Sequence, residues 1–405
     1  MGRRWWKIGT LLPMLMALVA GGDLAGRFLP LDLVAFRVWE PALQTTLGAP
    51  GPFEPGKVVV KRRAYGDLAA IGNFRRLRQY HDEELHVDRL GFRNADDIDR
   101  VAYSGIVTGD SFTVGHAEPE PATLPGQLTR LAGGRFYNAG ASLPPGPPPP
   151  DPLASLAATL KLGPGVVVYE LLERVARGAP PPRVDAPLVL YPPVPPPPAA
   201  SAARGESSFR PWLLGVAHRL SPWVESPLHI ASVRVVKWFQ DDVLEPNSYA
   251  GAVVRRELAN GDEMLFIPWD LAPLGDPQSL AAAWGDYLAW YAGKLRQHDL
   301  QLVVLLVPNK YTVYGPLTAD GPREPEGRRL LLGIADRLRS SGVPVVDITP
   351  IFAARGAEGL PRHEYLYWRD DTHWNASGIQ LAVDAVWQEI QAIPAARTRS
   401  RRVKT

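Results

Sequence analysis

Five short apolar runs constrain this chain more than any other feature: residues 103–108, 135–138, 165–171, 302–307 and 343–348. They are of strand length, rich in β-branched and aromatic residues, and show little polar alternation. That is the pattern of strands buried on both faces. Between most of them lie helical patterns at 124–131, 153–162, 280–297 and 327–340, and an amphipathic helix fits 377–390. Apolar runs alternating with helices predict an α/β fold, a parallel five-stranded sheet with helices on both faces. In such sheets ligands bind beyond the carboxyl ends of the strands.

A serine stands at such an end. In GIVTGDSFTVGH, residues 105–116, the apolar run stops at Gly109, Asp110 and Ser111. Ser111 could cap the next helix, or it could be a nucleophile aimed into a cleft. A serine hydroxyl attacks only when a neighbouring base accepts its proton, and that base needs an orienting acid. Of the eight histidines, His373 has carboxylates close by in a suitable setting, YWRDDTHWNASG at 367–378. Asp371 is two residues before it and Asp370 three before; Asn375 or Ser377 would cap the final helix. The loop follows the fifth run, at the sheet edge where Ser111 should emerge. No second histidine stands at ligand spacing, so no metal site is expected, and no cofactor is expected either.

Composition narrows the classes. The chain has 405 residues, a formal net charge of +2 and no cysteine. The balance gives no argument for nucleic acid as a partner. The lack of cysteine excludes disulfides, thiolate catalysis and thiolate-ligated metal.

The N-terminus bears on location. Arg3, Arg4 and Lys7 precede an apolar run at residues 8–21, which Asp23 and Arg27 close. That is a positive region followed by an apolar stretch of signal-peptide length, short for a full membrane span. The organisation expected is a signal-anchor or signal peptide at 1–30 and a lead-in segment at 31–84, with strand character at 57–61. The first half of the domain covers 85–178, a Pro-rich insertion 179–280, the second half 281–391, and a basic tail 392–405. The anchor predicts attachment to the membrane through the N-terminus, with the domain on the extracytoplasmic (periplasmic) side, or secretion if the peptide is cleaved. Proline clusters at 143–152 and 191–198 favour extended segments that cannot join a sheet interior. The insertion also carries FRPWLLGVAHRLSPWVESPLHI, suited to a lid, a partner surface, a membrane-facing patch or a packed subdomain.

Taken together, the motifs resemble the SGNH (GDSL-type) hydrolase superfamily. GDSFTVG is similar to its first block, FYNAGAS at 136–142 to its second, and DDTHWNASG to its last. LGFRN at 90–94 resembles a segment that often precedes the first block. DTHW, VVVYELLERV at 166–175 and LVPNKYTVY at 306–314 resemble the alginate O-acetyltransferase-like group. The resemblance implies an SGNH-type, flavodoxin-like sheet and a triad of Ser111, His373 and Asp371. It implies oxyanion donors at the backbone N–H groups of Ser111 and Gly140. Ordinary SGNH spacing selects Asp370 as the acid; the DTHW spacing selects Asp371, which is the closer match. It further implies acetyl transfer to a cell-surface or secreted polysaccharide, with a possible membrane-bound O-acyltransferase as acetyl donor. A carbohydrate esterase or lipase-like hydrolase is the alternative enzyme, and a non-catalytic polysaccharide-binding or assembly protein the alternative class.

Two features depart from the family pattern. The third block's asparagine is missing, since the third run reads Tyr169, Glu170, Leu171. Ser111 also precedes the histidine motif, whereas the alginate acetyltransferases have the reverse order.

Overall fold

The apolar runs become the strands of one sheet. The computed structural model describes residues 2–26, 42, 49–72, 74–95, 98–141, 147–178, 181, 253–322 and 324–393. Among these, the elements before the sheet are helix α1 (Gly2–Gly26), strand β1 (Val58–Ala64), helix α2 (Asp67–Ile71) and strand β2 (His81–His86). The first half of the domain follows: β3 (Tyr103–Thr108), α3 (Ser111–Val114), α4 (Leu124–Ala132), β4 (Arg135–Asn138), α5 (Pro150–Thr159), β5 (Gly165–Leu172) and α6 (Glu173–Gly178). Strands β6 (Val254–Glu257) and β7 (Glu263–Phe266) form a hairpin, and α7 (Pro268–Leu271) follows it. The second half comprises α8 (Pro277–Arg296), β8 (Leu300–Val307), α9 (Lys310–Tyr314), α10 (Glu326–Ser340), β9 (Val345–Asp347), α11 (Thr349–Gly359) and α12 (Ala376–Ala392).

The five-stranded sheet has the order β4-β3-β5-β8-β9, and every pairing within it is parallel. Each expected run maps onto one of its strands. Alternation along β8 shows why the runs are apolar throughout. Leu302, Val304 and Leu306 pack with α5, α8 and α10 on one face. Val303, Leu305 and Val307 pack with α4, α11 and α12 on the other. Both faces are covered, so polar alternation is absent.

The strand character expected at 57–61 is β1, which pairs antiparallel with β2 in a separate two-stranded sheet. Helix α11, between the fifth strand and the histidine loop, is an element that periodicity did not reveal. The elements at 254–271 occupy residues that the sequence assigned to the insertion. The proline cluster at 191–198, the apolar segment after it and the tail from residue 394 lie outside the described residues.

Helix α1 runs through Pro13 and leaves Met14, Leu15, Met16, Leu18, Val19 and Leu24 exposed. Among the described residues, no helix is long and apolar enough to cross a membrane.

Leu305 is fully buried in the middle of β8. Leu305→Ala is therefore expected to cost about 2–5 kcal/mol, the range for a truncated core leucine. Urea unfolding of the variant beside the parent protein measures it.

Candidate active site

Strand β3 delivers Ser111. After it, the Asp110 carboxylate accepts from the Phe112 N–H at 2.8 Å and caps the short helix α3, whose first residue is Ser111. Below the turn, Glu170 Oε2 at the end of β5 accepts from the Asp110 N–H (3.1 Å) and from Thr113 Oγ1 (3.2 Å). A β-carbon on Gly109 would lie 2.4 Å from that oxygen, so the turn fits only glycine there. Burial, then the neighbouring Asp110 charge, pushes the Glu170 carboxyl well above the usual range.

The other end of α3 is held as firmly. Gly115 closes it in the left-handed region at φ 87°, where glycine carries no steric penalty. The buried Arg93 guanidinium donates to the carbonyls of Val114 and Gly115 at the helix end, and to those of Glu84 and Glu118. Asn138 Nδ2 donates to the carbonyls of Thr113 (3.2 Å) and Val114 (3.4 Å). This gives LGFRN its physical role: Arg93 satisfies the orphan carbonyls of the serine's helix.

The histidine loop closes over the same edge. Asn375 caps α12 through Ser377 and Gly378 N–H. Lys310, at the start of α9 and buried, donates to the carbonyls of Trp368, Arg369 and Asp371. Burial pulls its ammonium down to about 8, against the charges of Asp371, Asp67, Asp370 and Asp270. The loop thereby brings His373 Nε2 to 2.7 Å from Ser111 Oγ, across 262 residues of sequence. On its other side His373 Nδ1 lies 2.6 Å from Asp371 Oδ1. The Phe112 ring packs on the imidazole with centroids 4.8 Å apart.

Electrostatics follow the geometry. Burial favours neutral imidazole, but the Asp371 carboxylate outweighs it and raises His373 above its ordinary value. Burial likewise works to raise Asp371; the His373 charge and three N–H donors overcome that and hold its carboxyl well below the usual range. Asp371 Oδ1 accepts from His373 N–H and Nδ1, and Oδ2 from Asp67 N–H at 2.7 Å.

The other candidate residues lie differently. Asp370 Oδ2 accepts from the N–H groups of Gly66 (2.9 Å) and Gln79 (2.8 Å), and no hydrogen bond joins it to His373. The two adjacent aspartates therefore face different partners. Gly140 has a partner of its own. Its N–H donates to Asn138 Oδ1 at 2.9 Å, because the Asn138 amide is already oriented by its two bonds to the α3 carbonyls. The Ser111 N–H, by contrast, has no partner among the described residues. No asparagine follows the third strand; Glu173 and Arg174 stand there, and Arg174 forms a two-pronged pair with the buried Asp270.

Asp67, Asp371 and His373 place potential metal-ligand atoms within 4.8 Å of one another. All four carboxylate oxygens in this group already accept hydrogen bonds within the protein. The set thus reads as a hydrogen-bonded cluster. Asp67 had no signal in the sequence, for it lies about three hundred residues from its partners. Arg93 did have one, in the quoted LGFRN.

The fold is an α/β domain whose parallel five-stranded sheet carries Ser111 and the histidine loop at one edge. Residues 260–405 match the family described as the SGNH hydrolase-like domain of acetyltransferase AlgX. The matched part contains His373 and Asp371, and Ser111 precedes it. One solved crystal structure aligns with 72% of this chain and 98% of its own at 13% identity and a TM-score of 0.33, a likeness too slight to inform the fold. No curated protein matches the chain.

Glu118 supports the histidine loop, accepting from Trp368 Nε1 (3.1 Å) and Ala376 N–H (2.9 Å) through Oε1. Burial pushes its carboxyl up from 4.5 to about 7. A raised carboxyl stabilises the fold below its unfolded value, and that contribution is lost as pH rises through about 7. Glu118→Gln keeps the accepting oxygen and removes the titration. Relative to the parent, it is expected to be more stable at pH 8 than at pH 5, by on the order of 2 kcal/mol at most. Thermal melting at the two pH values tests this.

Proposed function

We propose that the protein is a serine-dependent O-acyltransferase that moves acetyl groups onto a cell-surface or secreted polysaccharide. The observation that carries this reading is the row Ser111 Oγ, His373 Nε2 and Nδ1, Asp371 Oδ1, joined at 2.7 and 2.6 Å. In the first step Ser111 Oγ attacks the acetyl carbonyl while its proton passes to His373 Nε2. Asp371 holds the Nδ1–H tautomer and stabilises the imidazolium. Collapse of the tetrahedral intermediate expels the donor's alkoxide, which takes the proton from Nε2 and leaves acetyl-Ser111. A sugar hydroxyl then gives its proton to His373 Nε2 and attacks the acetyl-serine; collapse of this second tetrahedral intermediate breaks the bond to Ser111 Oγ, which takes the proton back from Nε2 and releases the product ester.

The oxyanion is held by the Ser111 N–H, the free donor of the two expected. Transfer rather than hydrolysis is supported by the matched acetyltransferase domain at residues 260–405. Acetate released to water at the same rate with and without a polysaccharide acceptor would instead make the protein an esterase.

A membrane-bound O-acyltransferase is a suitable acetyl donor, and the domain would act on the extracytoplasmic side, where polysaccharide is exported. The exposed apolar side chains of α1, after a cationic start, support attachment of the N-terminus to the membrane. Cell fractionation is expected to find the full chain with membranes and a chain lacking residues 1–30 in the soluble fraction. Equal distribution of the two would overturn the attachment.

For the chemistry, Ser111→Ala and His373→Ala are each expected to lower turnover of an activated acetyl ester by several orders of magnitude. The double variant should be little worse than either, since the residues act as a unit. Asp371→Asn is expected to cost on the order of 10⁴-fold, because an amide holds the wrong tautomer. Asp370→Asn should cost far less. Labelling of Ser111 by a fluorophosphonate probe reads the nucleophile directly.

A further inference from the structure

The acid and base of the site are held from behind by a segment some three hundred residues upstream. Asp67 opens helix α2 and is buried. Its N–H donates to Asp371 Oδ2 at 2.7 Å. Its carboxylate takes both donors of Thr372: Oδ1 accepts the backbone N–H and Oδ2 the hydroxyl, each at 2.9 Å. Around this contact, Ala69 N–H donates to the Asp370 carbonyl, and Gln79 Oε1 accepts from Arg369 N–H. The fit is close enough that a β-carbon on Gly66 would stand 2.2 Å from the Asp370 carbonyl oxygen.

Thr372 Oγ1 also lies 3.2 Å from His373 Nδ1. A hydroxyl has one proton. While that proton goes to the Asp67 carboxylate, Oγ1 can meet Nδ1 only with a lone pair. An accepting oxygen there requires Nδ1 to carry hydrogen, the same requirement that Asp371 Oδ1 imposes from 2.6 Å. Nε2 is then left bare and faces the Ser111 hydroxyl. We propose that Asp67 is a positioning residue, which directs the Thr372 hydroxyl away from His373 and so fixes the imidazole tautomer that can act as base. This rests on Ser111, His373 and Asp371 acting as proposed above. Burial works to lower His373; against it, the Asp371 carboxylate and, after it, the Asp67 charge raise the imidazole.

Asp67→Asn tests the assignment in the full chain. The amide oxygen can still accept the Thr372 N–H, but the amide nitrogen donates to Oγ1 and turns the hydroxyl proton toward Nδ1. With an activated acetyl ester, kcat is expected to fall about ten- to a hundredfold, the scale seen when the group behind a working ligand is removed. KM should stay within about twofold, since the substrate is not touched. The acid limb of kcat/KM should shift to lower pH, because a charge that favours imidazolium is gone. Adding Thr372→Val to Asp67→Asn should recover part of kcat by removing the competing hydroxyl.

An unmoved pH limb with unchanged kcat in Asp67→Asn overturns the proposal. So does a loss of kcat that Thr372→Val does not relieve and that leaves the limb in place, since that is a structural effect alone. If Asp67→Asn does not fold, the Thr372 variants decide: Thr372→Val should lose more kcat than Thr372→Ser, and equal kinetics overturn the proposal. The underlying triad fails by a different signature, turnover retained in Ser111→Ala or no fluorophosphonate on Ser111. A labelled Ser111 with an unmoved limb in Asp67→Asn removes only the role of Asp67.

Discussion

The site depends on one buried pair, the Asp371 carboxylate against the His373 imidazole at 2.6 Å. A carboxylate out of water is tolerable only when its lone pairs are filled, because an unpaired buried charge costs several kcal/mol. The protein fills them from three directions. His373 supplies its own N–H and Nδ1, and Asp67 supplies a backbone N–H from a segment before the sheet. Lys310 sits beneath the same loop as a buried cation, bonded to three carbonyls. With Asp67 and Asp370 also buried here, three carboxylates face one ammonium and one imidazole. This arrangement raises the proton affinity of the imidazole against the effect of burial.

Much of this was legible in the sequence, for physical reasons. The five strands were readable because a parallel sheet covered on both faces leaves no solvent side, and Val303 and Val304 are equally buried. Ser111 and His373 could be placed on one edge because strand direction fixes where each chain emerges. Helix α11 escaped because its buried face carries little apolar signal: of Thr349, Phe352, Gly356 and Gly359, only Phe352 is a large apolar side chain. Asp67 escaped for a deeper reason. A residue that meets the Asp371 carboxylate and the N–H and hydroxyl of Thr372 far along the chain leaves no periodicity and no local spacing. The lead-in segment at 31–84 gave no hint of the site because what its described residues offer the histidine loop, from Gly66, Asp67 and Gln79, passes through hydrogen bonds, while Phe53, Val59, Leu68 and Ala69 pack in two small apolar clusters.

The adjacent aspartates show how spacing and structure divide the work. Either could have served His373 by sequence distance. The loop turns Asp371 to the imidazole and Asp370 to the backbone of Gly66 and Gln79. Asp370 is fully buried, and burial raises its carboxyl even though two N–H groups hold it down. Exchanging the two roles would leave the upstream segment without its acceptor as well as moving the acid. The DTHW spacing is therefore tied to the segment behind it, and the carboxylate that meets His373 comes with its support.

The same economy governs the serine side of the site. Asn138 has one amide: its nitrogen holds the last carbonyls of the serine's helix, so its oxygen must face the other way, onto the Gly140 N–H. A four-residue helix cannot satisfy its own terminal carbonyls. Arg93 and Asn138 do so from outside, and fixing the helix end fixes the serine at its start. Engaging Gly140 in that support removes one donor from any oxyanion formed at Ser111, and a single donor of that kind is commonly worth about 10²–10³ in rate. Within the proposed mechanism, rigid mounting of the nucleophile is thus gained at the oxyanion's expense, and the Ser111 N–H carries the developing charge from the same short helix that presents the hydroxyl.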